Sequence, residues 1–111
     1  MGPLLVPAID ALPEAITRLV AEFSPVRIIM FGSNARGDAR PDSDLDLLVV
    51  LPRMDDKREA AVSMIRALRG IPAVIEAIPT DLAEIQRRGD MPGDVLRAAL
   101  REGKVVYELS V

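Results

Sequence analysis

Residues 26–51 read VRIIMFGSNARGDARPDSDLDLLVVL, and this stretch decides the fold of the chain. Its two apolar runs, 26–31 and 45–51, are short and rich in β-branched and aliphatic side chains, so each predicts a buried strand. A polar loop rich in Gly, Arg and Asp separates the two runs. The first run ends at a glycine, and two aspartates spaced by one residue open the second. We therefore expect a strand, a sharp turn and a second strand, with polar chemistry at the junction.

The turn after the first strand has the composition of a phosphate-binding loop. Gly32 allows a sharp change of direction and a close approach of a ligand to the backbone. Residues 33–36 fit one or two helical turns, with Ser33 as a cap and Gly37 at the end. The free N–H groups of such a turn, the Ser33 hydroxyl and the Arg36 guanidinium would all suit an anion. Taken alone, Gly32-Ser33 also fits an ordinary tight turn, and Arg36 fits a solvated surface residue.

Asp44 and Asp46 have the spacing of a metal-binding pair on one strand. Residues two apart on a strand share a face and lie about 6.5 Å apart. Two carboxylates on one face repel each other unless a cation lies between them, and oxygen ligands of this kind suit Mg²⁺ or Mn²⁺. The alternative is a solvated strand end with two surface acids. Because Asp is depleted in strands, the pair favours the metal site.

Three pieces of this stretch together form a longer pattern: Gly32-Ser33, Ala35-Arg36-Gly37 and Ser43-Asp44-Leu45-Asp46-Leu47. At these spacings the pattern resembles the signature of the minimal nucleotidyltransferases, small members of the DNA polymerase beta-like nucleotidyltransferase superfamily. The segment EGKVVYE at residues 102–108 also resembles these proteins, so the resemblance covers nearly the whole chain. It implies the MNT type that is found in MNT/HEPN pairs.

The resemblance also implies a third acid, usually an Asp, on a strand beside Asp44 and Asp46. That acid helps to bind metal and can deprotonate the attacking hydroxyl. We predict this strand at residues 71–78, where Glu76 is the only acid, so Glu76 is the candidate for both the metal and the catalytic role. The alternative is that the family's Asp falls on Val74, which would leave a site that binds nucleotide and turns over poorly.

The resemblance implies nucleotidyl transfer. Gly32, Ser33 and Arg36 would hold the β- and γ-phosphates of a nucleoside triphosphate, with ATP as the expected donor. Asp44 and Asp46 would hold Mg²⁺ or Mn²⁺. The reaction would transfer a nucleoside monophosphate to an acceptor hydroxyl and release pyrophosphate.

The same resemblance implies a partner protein. Small family members are commonly encoded beside a helical HEPN-type partner, and some act as its antitoxin by adenylylating it. The alternative class is a non-catalytic nucleotide-binding module that regulates a partner by direct contact. The sequence leaves open the nucleotide, the acceptor and the oligomeric state, a homo-oligomer included.

Composition excludes several other functions. The 111 residues suffice for one domain, which we predict over 1–111, and half of them are apolar. The absence of Cys and His excludes disulfides, thiolate metal sites and His-based catalysis, and is compatible with a reducing cytosol. A net charge of −3 does not favour general nucleic-acid binding. Without a transmembrane-length run or a signal-peptide pattern, we expect a cytoplasmic protein that does not bind membranes.

Helical spacing and capping signals predict the remaining elements. After a lead at 1–8 we expect a helix to Phe23, a turn at Pro41-Asp42, a helix from Asp55 or Asp56 to Arg69, a short helix capped by Thr80, a helix over 94–102 and a strand over 104–108. The order α-β-turn-β-α-β-α-α-β predicts an α/β (α+β) domain. The family fold that it resembles is a small mixed β-sheet with helices packed mainly on one side.

Overall fold

The computed structural model of this protein describes residues 7–40 and 42–110. Most of the predicted lead at 1–8, and Pro41 of the predicted turn, lie outside these residues. A 3-10 helix at Ala8–Ala11 runs directly into the first α-helix. The other elements are α1 (Leu12–Phe23), β1 (Arg27–Phe31), α2 (Ser33–Arg36), β2 (Leu45–Leu51), α3 (Lys57–Ala67), β3 (Ile75–Asp81), α4 (Leu82–Arg88), α5 (Val95–Glu102) and β4 (Lys104–Glu108). No helix in the described part of the chain has the length and apolar character needed to cross a bilayer.

Four strands form one mixed sheet in the order β3-β2-β1-β4. Strand β1 pairs antiparallel with both β2 and β4, whereas β2 and β3 run parallel. A parallel pair needs a crossover connection, and α3 supplies it between β2 and β3. The predicted α/β class with a small mixed sheet is confirmed.

The central strand β2 is buried on both faces, which explains why its sequence is a nearly continuous apolar run. One face joins the larger core, covered by α1 and α3, through Leu45, Leu47, Val49 and Leu51. The opposite face joins a smaller core beneath α5 through Leu48 and Val50. Because side chains alternate along a strand, Asp46 belongs to this second face. Asp46 is half-buried, at the edge of the smaller core.

Strand β3 begins later than the apolar letters predict. We expected it at residues 71–78, but residues 71–74 form a turn in which the N–H of Ala73 donates to the carbonyl of Ile71 at 2.8 Å. The strand starts at Ile75 because that residue lies in register with Leu45, the first residue of its parallel partner. A partner distant in sequence therefore sets this boundary.

Helix α4 is capped by Asp81, so the prediction that Thr80 caps it was wrong. The Asp81 carboxylate accepts hydrogen bonds from the N–H groups of Glu84, at 2.8 Å, and Met54, at 3.0 Å. Thr80 still belongs to β3, and its hydroxyl donates to the Glu84 carboxylate at 2.7 Å. The strand continues for one residue beyond Thr80, which moves the N-cap to the next side chain.

The Glu84 carboxylate also joins α4 to α3. Lys57 Nζ lies 2.8 Å and 3.1 Å from the two carboxylate oxygens of Glu84, a residue that is only 6% exposed. Burial alone would raise the pKa of Glu84, but hydrogen bonds from Lys57 and Thr80, together with nearby positive charge, lower it. The ionised carboxylate thus holds the starts of two helices beside the end of β3.

Candidate functional site

The predicted site residues lie at the end of the sheet where β1 stops and β2 begins. Phe31, the last residue of β1, pairs with Asp46 of β2, so the chain leaving β1 at Gly32 starts beside that aspartate. On the other side of β2, Asp46 lies in register with Glu76 of β3. The sheet thereby brings together a turn and two acids that are far apart in sequence.

Gly32 packs directly against the Asp46 carboxylate. Its φ of +77° lies in the region that favours glycine. A Cβ atom on Gly32 would overlap Oδ2 of Asp46 and lie 3.3 Å from its Cγ. The backbone conformation therefore favours glycine at this position, and any larger residue would also push the Asp46 carboxylate out of its place.

Helix α2 is a single turn that presents unpaired donors. Gly32 is its N-cap and Ser33 its first residue, so the prediction that Ser33 caps the helix was wrong. Within residues 7–40 and 42–110, the backbone N–H groups of Ser33 and Asn34 have no acceptor. The turn ends at Gly37, which takes the left-handed conformation as expected. Free N–H groups in such a turn form a concavity that suits an anion.

Asp44, Asp46 and Glu76 form an acidic group beside this turn. Burial, the negative charges of Glu76 and Asp44 and a hydrogen bond with Glu76 raise the pKa of the Asp46 carboxyl, while the Arg36 guanidinium opposes that rise. The raised pKa means that the folded chain disfavours the ionised carboxylate. A bound cation would offset this concentration of negative charge.

The donors present fit a hard divalent cation. In the described part of the chain, no three acidic side chains come close enough to form a complete metal cage. Mg²⁺ is usually held by one or two carboxylates, water molecules and substrate phosphates rather than by an all-protein cage. The carboxylate oxygens of Asp44 and Asp46, next to a turn rich in donors, are compatible with that mode of binding.

The positions of Glu76 and Val74 differ in a way that bears on the third carboxylate. Glu76 lies in register with Asp46 and contributes to its raised pKa. Val74 precedes β3, is 52% exposed, and its carbonyl accepts a hydrogen bond from the N–H of Leu45 at 3.0 Å. The acid nearest to Asp46 on β3 is therefore Glu76, and its catalytic role stays a prediction.

Arg36 lies at the open side of the group. Its side chain is 50% exposed, and Nε is 3.4 Å from the Asp38 carboxylate. The positive charge of Arg36 also lowers the pKa of Asp46, although burial and the neighbouring acids outweigh it. An exposed guanidinium in a long ion pair can turn toward a phosphate at little cost, because such surface pairs contribute little to stability.

Sequence reasoning missed Asn34. Its side-chain Nδ2 donates a hydrogen bond to the backbone carbonyl of Asp44 at 2.9 Å. The loop between them is closed by a second pair of bonds, since the Arg40 N–H donates to the Ser43 hydroxyl at 2.8 Å and the Ser43 N–H donates to the Arg40 carbonyl at 3.0 Å. The signal available in the sequence was an amide side chain inside the turn, which can bond to a backbone carbonyl.

An apolar groove of about 330 Å³ lies at the other end of the sheet. Its lining includes Val26, Val50 and Leu109, and it contains none of the predicted site residues. The pairing of Arg27 with Val50 marks that end, whereas the pairing of Phe31 with Asp46 marks the end with the acids. The polar chemistry of the chain therefore lies away from this apolar groove.

Comparisons with known proteins agree with this geometry. The family model described as a nucleotidyltransferase domain matches residues 12–102, so this chain belongs to the nucleotidyltransferase domain family. Its fold is similar to the crystal structure of a "putative nucleotidyltransferase" from Sulfolobus solfataricus, with a TM-score of 0.64 and 20% sequence identity over 91% of this chain and 80% of that chain. No curated protein matches the chain.

The family and the fold together define the class of protein. The chain is a nucleotidyltransferase, an enzyme whose substrate is a nucleoside triphosphate. The nucleotidyltransferase-like fold predicted from the sequence is confirmed by the structural neighbour.

Proposed function

We propose that this chain transfers AMP from ATP to a hydroxyl group on a partner protein of the HEPN type, in a reaction that depends on Mg²⁺. The main observation in favour is the packing of Gly32 against the Asp46 carboxylate, which puts a donor-rich turn next to a pair of acids. Phosphates and the cation that neutralises them need adjacent sites of these two kinds.

Each predicted residue has a place in this proposal. The turn at Gly32 and Ser33 holds the β- and γ-phosphates through its N–H groups and hydroxyl, and Arg36 adds a guanidinium. Asp44 and Asp46, with Glu76 beside them, hold the cation. When bound there, Mg²⁺ would neutralise charge on the phosphates and the pyrophosphate leaving group.

The chemical step is attack of the acceptor hydroxyl oxygen on the α-phosphorus of ATP. A new bond forms from the acceptor oxygen to the α-phosphorus, and the bond to the bridging oxygen of pyrophosphate breaks. Glu76 accepts the proton of the hydroxyl as that bond forms. The products are an AMP ester on the acceptor and pyrophosphate.

The acceptor comes from outside the chain in this proposal. Resemblance to MNT proteins supports a HEPN-type protein as the acceptor and an antitoxin role in the cytoplasm for this chain. The second candidate is a module that binds nucleotide without turnover and regulates its partner by contact. This candidate follows from the alternative alignment, in which the family's Asp falls on Val74 and the chain has no acid at that position.

One experiment separates the two candidates. The full chain is mixed with Mg²⁺, ATP labelled at the α-phosphate and a HEPN-type partner encoded beside it, and transfer of label to the partner is measured. The enzyme account expects transfer that Asp44→Ala and Asp46→Ala abolish and that Asp10→Ala, at an exposed aspartate of the leading 3-10 helix, leaves unchanged. Tight partner binding that survives both site variants, without any transfer, would support the module instead.

A further inference from the structure

We propose that Asn34 is a positioning residue, which ties α2 to the start of β2 and so fixes the phosphate-binding turn relative to Asp44. The inference rests on the proposed function, because it assigns Asn34 a role in the same site. Asn34 itself touches neither the reacting atoms nor the cation in this account. It acts through the backbone of Asp44.

The hydrogen bond from Asn34 joins α2 to the residue that precedes β2, in addition to the packing of Gly32 against Asp46. Asn34 Nδ2 lies 2.9 Å from the Asp44 carbonyl oxygen, ten residues along the chain. Among the described residues, this is the only side-chain hydrogen bond that α2 makes outside its own loop, since the ion pair of Arg36 goes to Asp38. Ala35, which is buried, provides the other anchor of α2.

A helix as short as α2 depends on such anchors. It has four residues, and a single isolated helical turn is unstable in water because its nucleation is costly. The packing of Ala35 fixes one side of the turn against the core. The amide of Asn34 fixes the other side against the residue that begins the acidic pair. Removing this bond should therefore loosen both the turn and Asp44.

Loss of a group that orients a metal ligand has a measurable effect on metal affinity. Replacement of such supporting groups typically weakens metal binding by about 10–100-fold. Asn34→Ala in the full chain should weaken the binding of Mn²⁺ alone by about tenfold, measured by water-proton relaxation. Gln86→Ala is the matched control, because Gln86 is the chain's other side-chain amide and is exposed on α4. It should bind Mn²⁺ as the wild type does.

A second measurement tests the tie without any metal. In the metal-free chain, the N–H groups of Arg36 and Gly37 donate to the carbonyls of Gly32 and Ser33. Their hydrogen exchange should become at least about tenfold faster in Asn34→Ala, as expected when a local contact is lost, while exchange in α3 stays unchanged. Asn34→Asp should give the same acceleration, since it keeps the size of the side chain but replaces the donor by an acceptor.

The outcomes separate this proposal from the proposed function. A wild-type chain that binds no Mn²⁺ contradicts the proposed function, and the exchange measurement then decides whether the tie exists. If hydrogen exchange at Arg36 and Gly37 is unchanged in Asn34→Ala, the Asn34 hydrogen bond does not hold α2 in place and the proposal is overturned. Faster exchange with wild-type Mn²⁺ affinity overturns the positioning role. Faster exchange together with weakened Mn²⁺ binding, and neither effect in Gln86→Ala, supports the proposal.

Discussion

Gly32 and Asp46 lie so close that a Cβ atom on Gly32 would overlap the Asp46 carboxylate and displace it. The relationship joins the two halves of the site, since Gly32 begins the turn and Asp46 belongs to the acidic group. It arises from the antiparallel pairing of Phe31 with Asp46, which delivers the end of β1 to the carboxylate. Substitutions at either residue therefore report on the whole arrangement.

Gly32→Ala should disrupt the site more than it destabilises the fold. An alanine in the left-handed region costs about 1–2 kcal/mol. Gly32→Ala should cost more than its control Gly70→Ala, because φ +77° with ψ −159° is a conformation that essentially only glycine adopts. Gly70 has a φ of +90° and open space around it, whereas a Cβ on Gly32 overlaps Asp46. We expect Mn²⁺ affinity to fall at least about tenfold in Gly32→Ala only. Equal Mn²⁺ affinity in both variants, measured by titration, would contradict the close packing.

Asp46→Asn should stabilise the metal-free chain while weakening metal binding. Burial and the charges of Glu76 and Asp44 disfavour the ionised Asp46, as its raised pKa indicates, so a neutral amide relieves that cost. The free energy of unfolding in urea at pH 7 with a chelator should therefore rise. Added Mn²⁺ should stabilise the wild type and leave the variant unchanged, because only a ligand that binds the folded state shifts the equilibrium. A less stable metal-free variant would argue against charge repulsion in the site.

Glu76→Gln should lower turnover more than it changes substrate binding. If Glu76 accepts the hydroxyl proton, kcat should fall at least about a hundredfold, and KM for ATP should change much less, because Asp44 and Asp46 still hold the cation. Glu22→Gln, at an exposed acid of α1, is the matched control and should behave as the wild type. Transfer that persists at the wild-type rate in Glu76→Gln would exclude Glu76 as the base.

Position 74 gives a complementary test. Val74→Asp in the Glu76→Gln chain would put an acid at the position that the alternative alignment gives to the family's Asp. Because Val74 lies next to the start of β2, through its carbonyl bond to Leu45, a carboxylate there would face Asp44 rather than Asp46. Our account expects little recovery of transfer. Recovery to near wild-type rates would assign the catalytic position to 74.

The carboxylate of Glu84 should make stability depend on pH. Its pKa is lower in the folded chain than in the unfolded chain, so its contribution is complete above the unfolded pKa and is lost as pH falls through the folded pKa. At pH 7, Glu84→Gln should cost about 2 kcal/mol, the size of hydrogen bonds to a charged group. The difference from the wild type, measured by urea unfolding, should shrink below about pH 4. A difference that stays constant from pH 7 to pH 3 would contradict the lowered pKa.

The parts of the fold that follow from short-range patterns could be predicted from the sequence. Strand β2 has the predicted bounds, 45–51, because a strand buried on both faces is a continuous apolar run that a proline ends. Strand β4 likewise has its predicted bounds, 104–108. The turn at residues 32–37 and the pair Asp44 and Asp46 could be recognised, because residues two apart on a strand share a face whatever the rest of the chain does.

The parts that depend on distant partners could not be predicted. Strand β3 begins at Ile75 because that residue pairs with Leu45, the first residue of β2. The residues around Ile75 do not reveal this pairing, so the start of the strand could not be predicted from them. The bond from Asn34 to the Asp44 carbonyl joins a side chain to a backbone atom, so no residue pair in the sequence reveals it. The neighbourhood of Asp46 and Glu76 could be expected only through the resemblance, since the two lie on strands separated by a helix.

The central claim is that cation and triphosphate bind together in one cleft, and the binding of ATP with and without Mg²⁺ tests it most directly. Calorimetric titration of the full chain should give ATP binding that requires Mg²⁺ and that is lost in both Asp44→Asn and Asp46→Asn. Chemical-shift changes on binding should fall on the amides of residues 32–36. ATP that binds equally well without Mg²⁺, or that binds both variants as it binds the wild type, would contradict the account.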